Sequence, residues 1–109
     1  MSGVFETYMD SADEYRFRLK ASNGEIILSS EGYKTSAGCM NGIRSVQENS
    51  KIAERFESYQ DKAGKYRFRL KAANGEVIGA SEAYETEASC KAGIESVKRW
   101  ANESKIKEA

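Results

Sequence analysis

From Tyr15 to Ala21 the chain alternates without a break, with Tyr15, Phe17 and Leu19 on one side and Arg16, Arg18 and Lys20 on the other. A period of two with one apolar side is the mark of a strand that buries one face. Asn23-Gly24 comes next; both residues tolerate positive φ, so the pair predicts a hairpin turn. Glu25 to Ser30 then read as the returning strand. Upstream, Phe5 to Met9 read as a short strand, joined to Tyr15 by the turn-like stretch Asp10 to Glu14. From Thr35 the period changes. Cys39, Gly42, Ile43 and Val46 stand at i, i+3, i+4 and i+7, one apolar stripe of a helix with Thr35 as its N-cap. Beyond the helix, Lys51 to Ala53 read as one more short strand.

The whole pattern then recurs. Tyr15-Arg16-Phe17-Arg18-Leu19-Lys20-Ala21 returns as Tyr66-Arg67-Phe68-Arg69-Leu70-Lys71-Ala72, an offset of 66 − 15 = 51. The same offset carries Phe5 to Phe56, Tyr8 to Tyr59, Asn23-Gly24 to Asn74-Gly75, Tyr33 to Tyr84, the N-cap Thr35 to a second N-cap at Thr86, and Cys39-Gly42-Ile43-Val46 to Cys90-Gly93-Ile94-Val97. Of the 47 positions from 5 to 51, 26 are identical after the shift and none needs a gap, so the chain is an internal duplication. Copy one spans residues 4–53 and copy two 55–105, with Ser104 to Lys107 as a second trailing strand. No flexible Gly/Ser linker divides them. A unit of about fifty residues is marginal alone, whereas 109 residues suit one domain with a shared core. The expectation is therefore an α+β domain spanning residues 1–109. Two tandem β-β-β-α(-β) repeats, related by a pseudo-twofold, share one antiparallel sheet and pack both helices on one face, as fused subunits of a C2 dimer would.

The copies also bear on the hairpin register. A two-residue Asn-Gly turn sets Ile26 and Leu28 beside Phe17 and Leu19; a three-residue turn with a glycine bulge sets Ile27 there. Leu28 corresponds to Gly79, and a core position rarely holds both, which favours the bulged turn. Gly42 and Gly93 sit in mid-helix, where glycine costs about 1 kcal/mol relative to alanine. Their recurrence implies close approach of helix and sheet.

The motif YRFRLKAxNGE, a Tyr-x-Thr helix start and a Gly-Ile-x-Ser-Val helix end resemble the YegP-like family of uncharacterised small bacterial proteins, a domain of unknown function in its two-copy form. The likeness covers both halves. It implies a β3-α-β unit, two units forming a single sheet and exchanging their last strands, and no activity. Family members often carry Ala at the positions of Cys39 and Cys90 and a Pro after the helix, and Trp100 lies outside the pattern.

Composition narrows the function. The 17 basic and 17 acidic side chains balance, so no net field draws the molecule to nucleic acid or membrane. Met1-Ser2-Gly3-Val4-Phe5 lacks the regions of a secretory signal, and cytoplasmic residence is the expectation. With no histidine the commonest general base and zinc ligand are missing, and two cysteines cannot make a thiolate zinc site alone. No cofactor or metal is expected, and no enzyme. Cys39 and Cys90 read as buried small hydrophobes. Ser29-Ser30-Glu31 and Ser81-Glu82 offer hydroxyls without a base.

The candidate binding residues are Arg16, Arg18, Lys20, Arg67, Arg69 and Lys71, six cations brought to one surface if the sheets join. Tyr8 and Tyr59 could stack beside them, making an anion or partner platform. The competing reading is a solvated face balanced by Glu6, Glu25, Glu57 and Glu76. The expected function is a non-catalytic interaction module using the open sheet face or a sheet edge; the alternative is a small structural or stress-associated protein acting through stability or self-association. Partners would be a protein or an anionic ligand, with nucleic acid ranking lower and membrane not expected, and the chain itself would be a monomer.

Overall fold

The computed structural model describes residues 3–109; Met1 and Ser2, the first two of the stretch read for a secretory signal, lie outside it. The elements follow in the order β1 (Val4–Met9), β2 (Tyr15–Lys20), β3 (Ile26–Ser29), α1 (Ser36–Asn49), a 3-10 turn (Ala53–Arg55), β4 (Phe56–Gln60), β5 (Tyr66–Lys71), β6 (Val77–Ala80), α2 (Glu87–Trp100) and β7 (Lys105–Glu108). The strands form one seven-stranded sheet ordered β4-β5-β6-β3-β2-β1-β7. Every pair is antiparallel except β1 and β7, which run parallel. The expected all-antiparallel sheet is therefore mixed. The parallel strand is possible because α2 carries the chain across the sheet before β7 begins.

The halves meet at Ser29 and Ala80, which pair across β3 and β6. These residues are equivalent, since 80 − 29 = 51, so the pseudo-twofold passes between them. The buried apolar residues form one cluster drawn from both copies, including Phe17, Leu19, Ile43 and Val46 with Phe68, Leu70 and Val97. Each helix packs on strands of both halves: α1 on β2, β5 and β6, and α2 on β2, β3 and β5.

Local chemistry explains the helices. Thr35 Oγ1 accepts from Gly38 N and Thr86 Oγ1 from Ser89 N, each at 3.0 Å, so both predicted caps are made. Gly42 and Gly93 are required by packing. A Cβ at Gly42 would collide with the Tyr33 ring and come within 3.0 Å of Phe17; at Gly93 it would collide with Tyr84. Backbone bridges from Tyr15 to Tyr33 and from Tyr66 to Tyr84 hold those rings in place. Each ring then stacks on the phenylalanine beneath it, at 6.2 Å for Phe17–Tyr33 and 6.3 Å for Phe68–Tyr84.

The hairpin has the glycine-bulged turn: Gly24 N donates to Ala21 O, Ala21 N donates to Glu25 O, and Gly24 has φ +86°. A second irregularity follows at once. Lys20 pairs with Ile26, but Leu19 pairs with Leu28, leaving Ile27 as an additional residue. Leu28, rather than Ile27, therefore lies beside Leu19, and both Ile27 and Leu28 are buried. The Leu/Gly alternation has a physical cause. A Cβ on Gly79 would lie 2.7 Å from the Leu28 side chain, so Leu28 of one copy fills the space that Gly79 of the other leaves open.

The trailing strands differ between copies. Lys105–Glu108 forms β7 on β1 of the other copy, as strand exchange implies. Lys51 to Ala53 forms no strand, because the chain there turns through the 3-10 segment directly into β4.

Gly79→Leu will overpack the junction and lower stability by about 1–3 kcal/mol in denaturant unfolding. The swap Leu28→Gly with Gly79→Leu will recover most of that loss, whereas additive costs would show that the two positions do not share one space.

Candidate functional site

The six predicted cations do share the face opposite the core. On β1 and β2, Glu6 pairs with Arg18, Tyr8 with Arg16 and Val4 with Lys20; β4 and β5 repeat this with Glu57–Arg69 and Tyr59–Arg67. The charges are interleaved. Arg18 Nε lies 2.6 Å and Lys20 Nζ 3.3 Å from Glu6 Oε1. Lys71 Nζ lies 3.0 Å from Glu57 Oε2. Arg69 Nε is 3.0 Å from Glu57 Oε1, yet off line for a hydrogen bond, and it is buried with no other acceptor among the described residues. The guanidiniums of Arg18 and Arg69 lie over the rings of Tyr8 and Tyr59, at 4.5 and 4.2 Å. Those rings are thus occupied by the protein's own cations.

Arg16 and Arg67 have partners that the sequence reading treated only as turn residues. Asp10 Oδ2 accepts from Arg16 Nε at 2.5 Å while its Oδ1 accepts from the Ala12 and Glu14 amides. Asp61 does the same for Arg67, Ala63 and Lys65. Each aspartate closes a turn and anchors a strand arginine. The recurrence of Asp and Arg six residues apart in both copies was the available signal. Glu25 and Glu76, expected to balance the face, form no ion pair among the described residues; burial pushes Tyr33 and Tyr84 up, and Glu76 and Glu25 add only a minor part. Lys105 and Lys107 join the outer face beside Val4 and Glu6, a position that only the strand crossover reveals.

These contacts set the electrostatics. The hydrogen bond from Arg18 holds Glu6 below the usual carboxylate range, and Lys71 does the same for Glu57. Asp10 and Asp61 are lowered first by Arg16 and Arg67, then by the turn amides. Burial pushes Cys39 and Cys90 up, so both stay protonated thiols with little nucleophilic character. Both are free and buried. They line separate clefts, Cys39 with Met9, Tyr15, Met40 and Ile106, and Cys90 with Tyr59, Tyr66 and Lys91. Ser30 and Ser81 are structural: Ser30 Oγ accepts from Phe17 N and donates to Glu31 O, both at 2.8 Å, and Ser81 repeats this at Phe68 and Glu82.

The other distinctive surface is a sheet edge. On β1, Ala109 N donates to Thr7 O at 2.8 Å, so Thr7 points its backbone groups outward and β7 satisfies them. The equivalent residue is Ser58 (7 + 51), on β4 at the opposite end of the sheet. Among the described strands β4 has only β5 beside it. Glu57, Ser58 and Gln60 are exposed. The pseudo-twofold asks for residues 54–57 on that edge, since 105 − 51 = 54 and 108 − 51 = 57, but these already form the 3-10 turn and the start of β4.

The chain belongs to the family described as "Domain of unknown function (DUF1508)", whose model matches twice, at residues 10–57 and 61–108. The two matches are themselves 61 − 10 = 51 residues apart. A relative from Stutzerimonas stutzeri, the UPF0339 protein in the ptx operon 5′ region, is 52% identical over 99% of this chain and 97% of its own length. The UPF0339 protein YegP of Escherichia coli K12 is 44% identical over 99% and 98%. The solution NMR structure of yegP from Escherichia coli, described as a protein of unknown function, superposes with a TM-score of 0.94 at 44% identity, covering 99% of this chain and 93% of that one. A UPF0339 protein of Shewanella oneidensis gives 0.92 at 45% identity, over 99% and 92%. No specific function comes with these relatives. No helix among the described residues is long and apolar enough to cross a membrane.

Two predictions follow from the polar contacts. The four carboxylates are lowered in the folded state, so their stabilisation is complete above the ordinary carboxylate range and fades as pH falls through the lowered values. Thermal stability will hold from neutral pH to about 5 and decline below about 4, and Asp10→Asn with Asp61→Asn will flatten that decline. An unchanged acid slope would exclude these pairs as its source. Ser30→Ala strands the buried Phe17 amide and will cost about 1–3 kcal/mol by denaturant unfolding.

Proposed function

We propose that the protein is a non-catalytic interaction module and that its working surface is the β4 edge, which takes an extended segment of another protein as an additional strand. The observation that supports this is the difference between two equivalent edges, one covered by β7 and the other bare among the described residues. An uncovered edge offers a row of unpaired amides and carbonyls, the donors and acceptors used in strand addition. The outer face is a weaker candidate, because Glu6, Asp10, Glu57 and Asp61 already engage the six cations of β2 and β5. The role is non-catalytic on this reading: the serine hydroxyls serve the backbone and the thiols are buried and protonated. Two reduced cysteines suit a reducing compartment, so cytoplasmic residence is part of the proposal.

Ser58→Pro tests it. The substitution removes an outward amide and leaves the β4–β5 ladder bonds in place, as proline on an edge does. Partners that co-purify with the wild type from the native cell will be lost, while Arg16→Glu with Arg67→Glu will retain them and both variants will remain folded. Partners kept by Ser58→Pro and lost by the arginine pair would place binding on the outer face.

A further inference from the structure

From the covered edge we infer the chemistry of the strand that fits the bare one: it adds to β4 in parallel and carries an apolar residue opposite Phe56, followed directly by a basic residue opposite Glu57. This rests on the edge reading above and specifies its occupant.

The argument is the comparison of two equivalent places. On β1, Phe5 pairs with Ile106 and Glu6 with Lys107 of the parallel β7. Phe5 is fully buried, and the Glu6 side chain is 17% exposed. On β4, Phe56 is only half-buried and the Glu57 side chain is 48% exposed, although the same Arg and Lys attend it. The added exposure falls on the two residues that Ile106 and Lys107 cover on the other edge. The bare edge therefore presents an apolar ring on the helix side and a carboxylate on the outer side, one residue apart. An alternating strand meets both at once, with an apolar residue on one face and a cation on the other. Cross-strand pairing of opposite charges then fixes its register.

The first position of β7 does not transfer. Lys105 lies beside Val4, but the equivalent residue is Arg55, which donates to Asn49 Oδ1 at 2.6 Å. A cation there would meet a cation, so the residue before the apolar one is neutral or acidic. The chain's own β7 is not the occupant. It is tethered to its place on β1, and its intramolecular effective concentration outweighs exchange onto another molecule's edge.

The test is an NMR titration of the labelled full chain with the heptapeptide of residues 103–109 carrying Lys105→Gln, Glu-Ser-Gln-Ile-Lys-Glu-Ala, as probe. Two control peptides carry Lys107→Glu and Ile106→Ser. The β4 amides, Ser58 above all, are expected to shift with the first peptide and to bind each control about fivefold more weakly. Glu57→Gln in the protein will remove the preference for Lys107. A spin label on the peptide's amino terminus will broaden Phe56 more than Gln60 if addition is parallel. Equal binding of all three peptides at β4, or broadening strongest at Gln60, overturns the inferred occupant and leaves the edge reading standing. Shifts confined to β1 and β7, or no shift with any peptide, overturn both. Shifts at β4 on concentrating the protein alone would make a second copy the occupant.

Discussion

The seven-stranded sheet depends on one small junction, where Ser29 pairs with Ala80 and Leu28 lies over Gly79. The pseudo-twofold passes through this point, so any side chain here meets its own counterpart. Two leucines would compete for one space and two glycines would leave it empty. A leucine in one copy and a glycine in the other fill it once. A symmetric dimer of single repeats cannot make that choice, because both positions would carry the same residue. Covalent fusion of the copies allows the asymmetry, and the joined sheet lets each helix cover strands of both halves.

The same fusion has a cost at the rim. Each repeat would send its trailing residues to the outer edge of the other. Residues 105–108 do so and cover β1. Residues 54–57 are needed to enter β4 and cannot also lie beside it. One edge is therefore closed and one left open by the connection itself. Glu57 and a short strand of five residues restrain indiscriminate pairing there, which is how natural edges avoid aggregation. The polar outer face is the contrary case: its six repeated cations are matched by carboxylates, Asp10 and Asp61 from the turns and Glu6 and Glu57 from the neighbouring strands, so their recurrence in both copies is accounted for by structure.

Much of this was legible in the sequence because it is local. Alternation at Tyr15–Lys20, the threonine caps and the Cys-Gly-Ile-Val stripe follow from period and side-chain chemistry within a few residues. The mid-helix glycines also signalled close packing, though not that Tyr33 and Tyr84 would be the neighbours. What escaped depends on distant parts of the chain. The second bulge at Ile27 and the Leu28/Gly79 fit arise across the pseudo-twofold, and comparing copies at one position misleads when the two positions touch each other. The parallel β1–β7 pair, and with it Lys105 and Lys107 on the outer face, requires knowing where α2 delivers the chain. The roles of Asp10 and Asp61 were hidden because the turns they open differ at three of five positions, with Asp13 (φ 60°) standing where copy two has Gly64.

Residue-resolved hydrogen exchange on the native protein in dilute solution tests the central claim most directly, that two fused repeats share one core and leave one edge open. Phe17 and Phe68, equivalent and buried, should exchange slowly and at matching rates, as parts of one cooperative unit. Thr7 and Ser58, equally equivalent, should differ, with Thr7 protected by β7 and Ser58 exchanging fast. Matching protection at Thr7 and Ser58 would contradict the account, as would protection at Phe17 that is lost independently of Phe68.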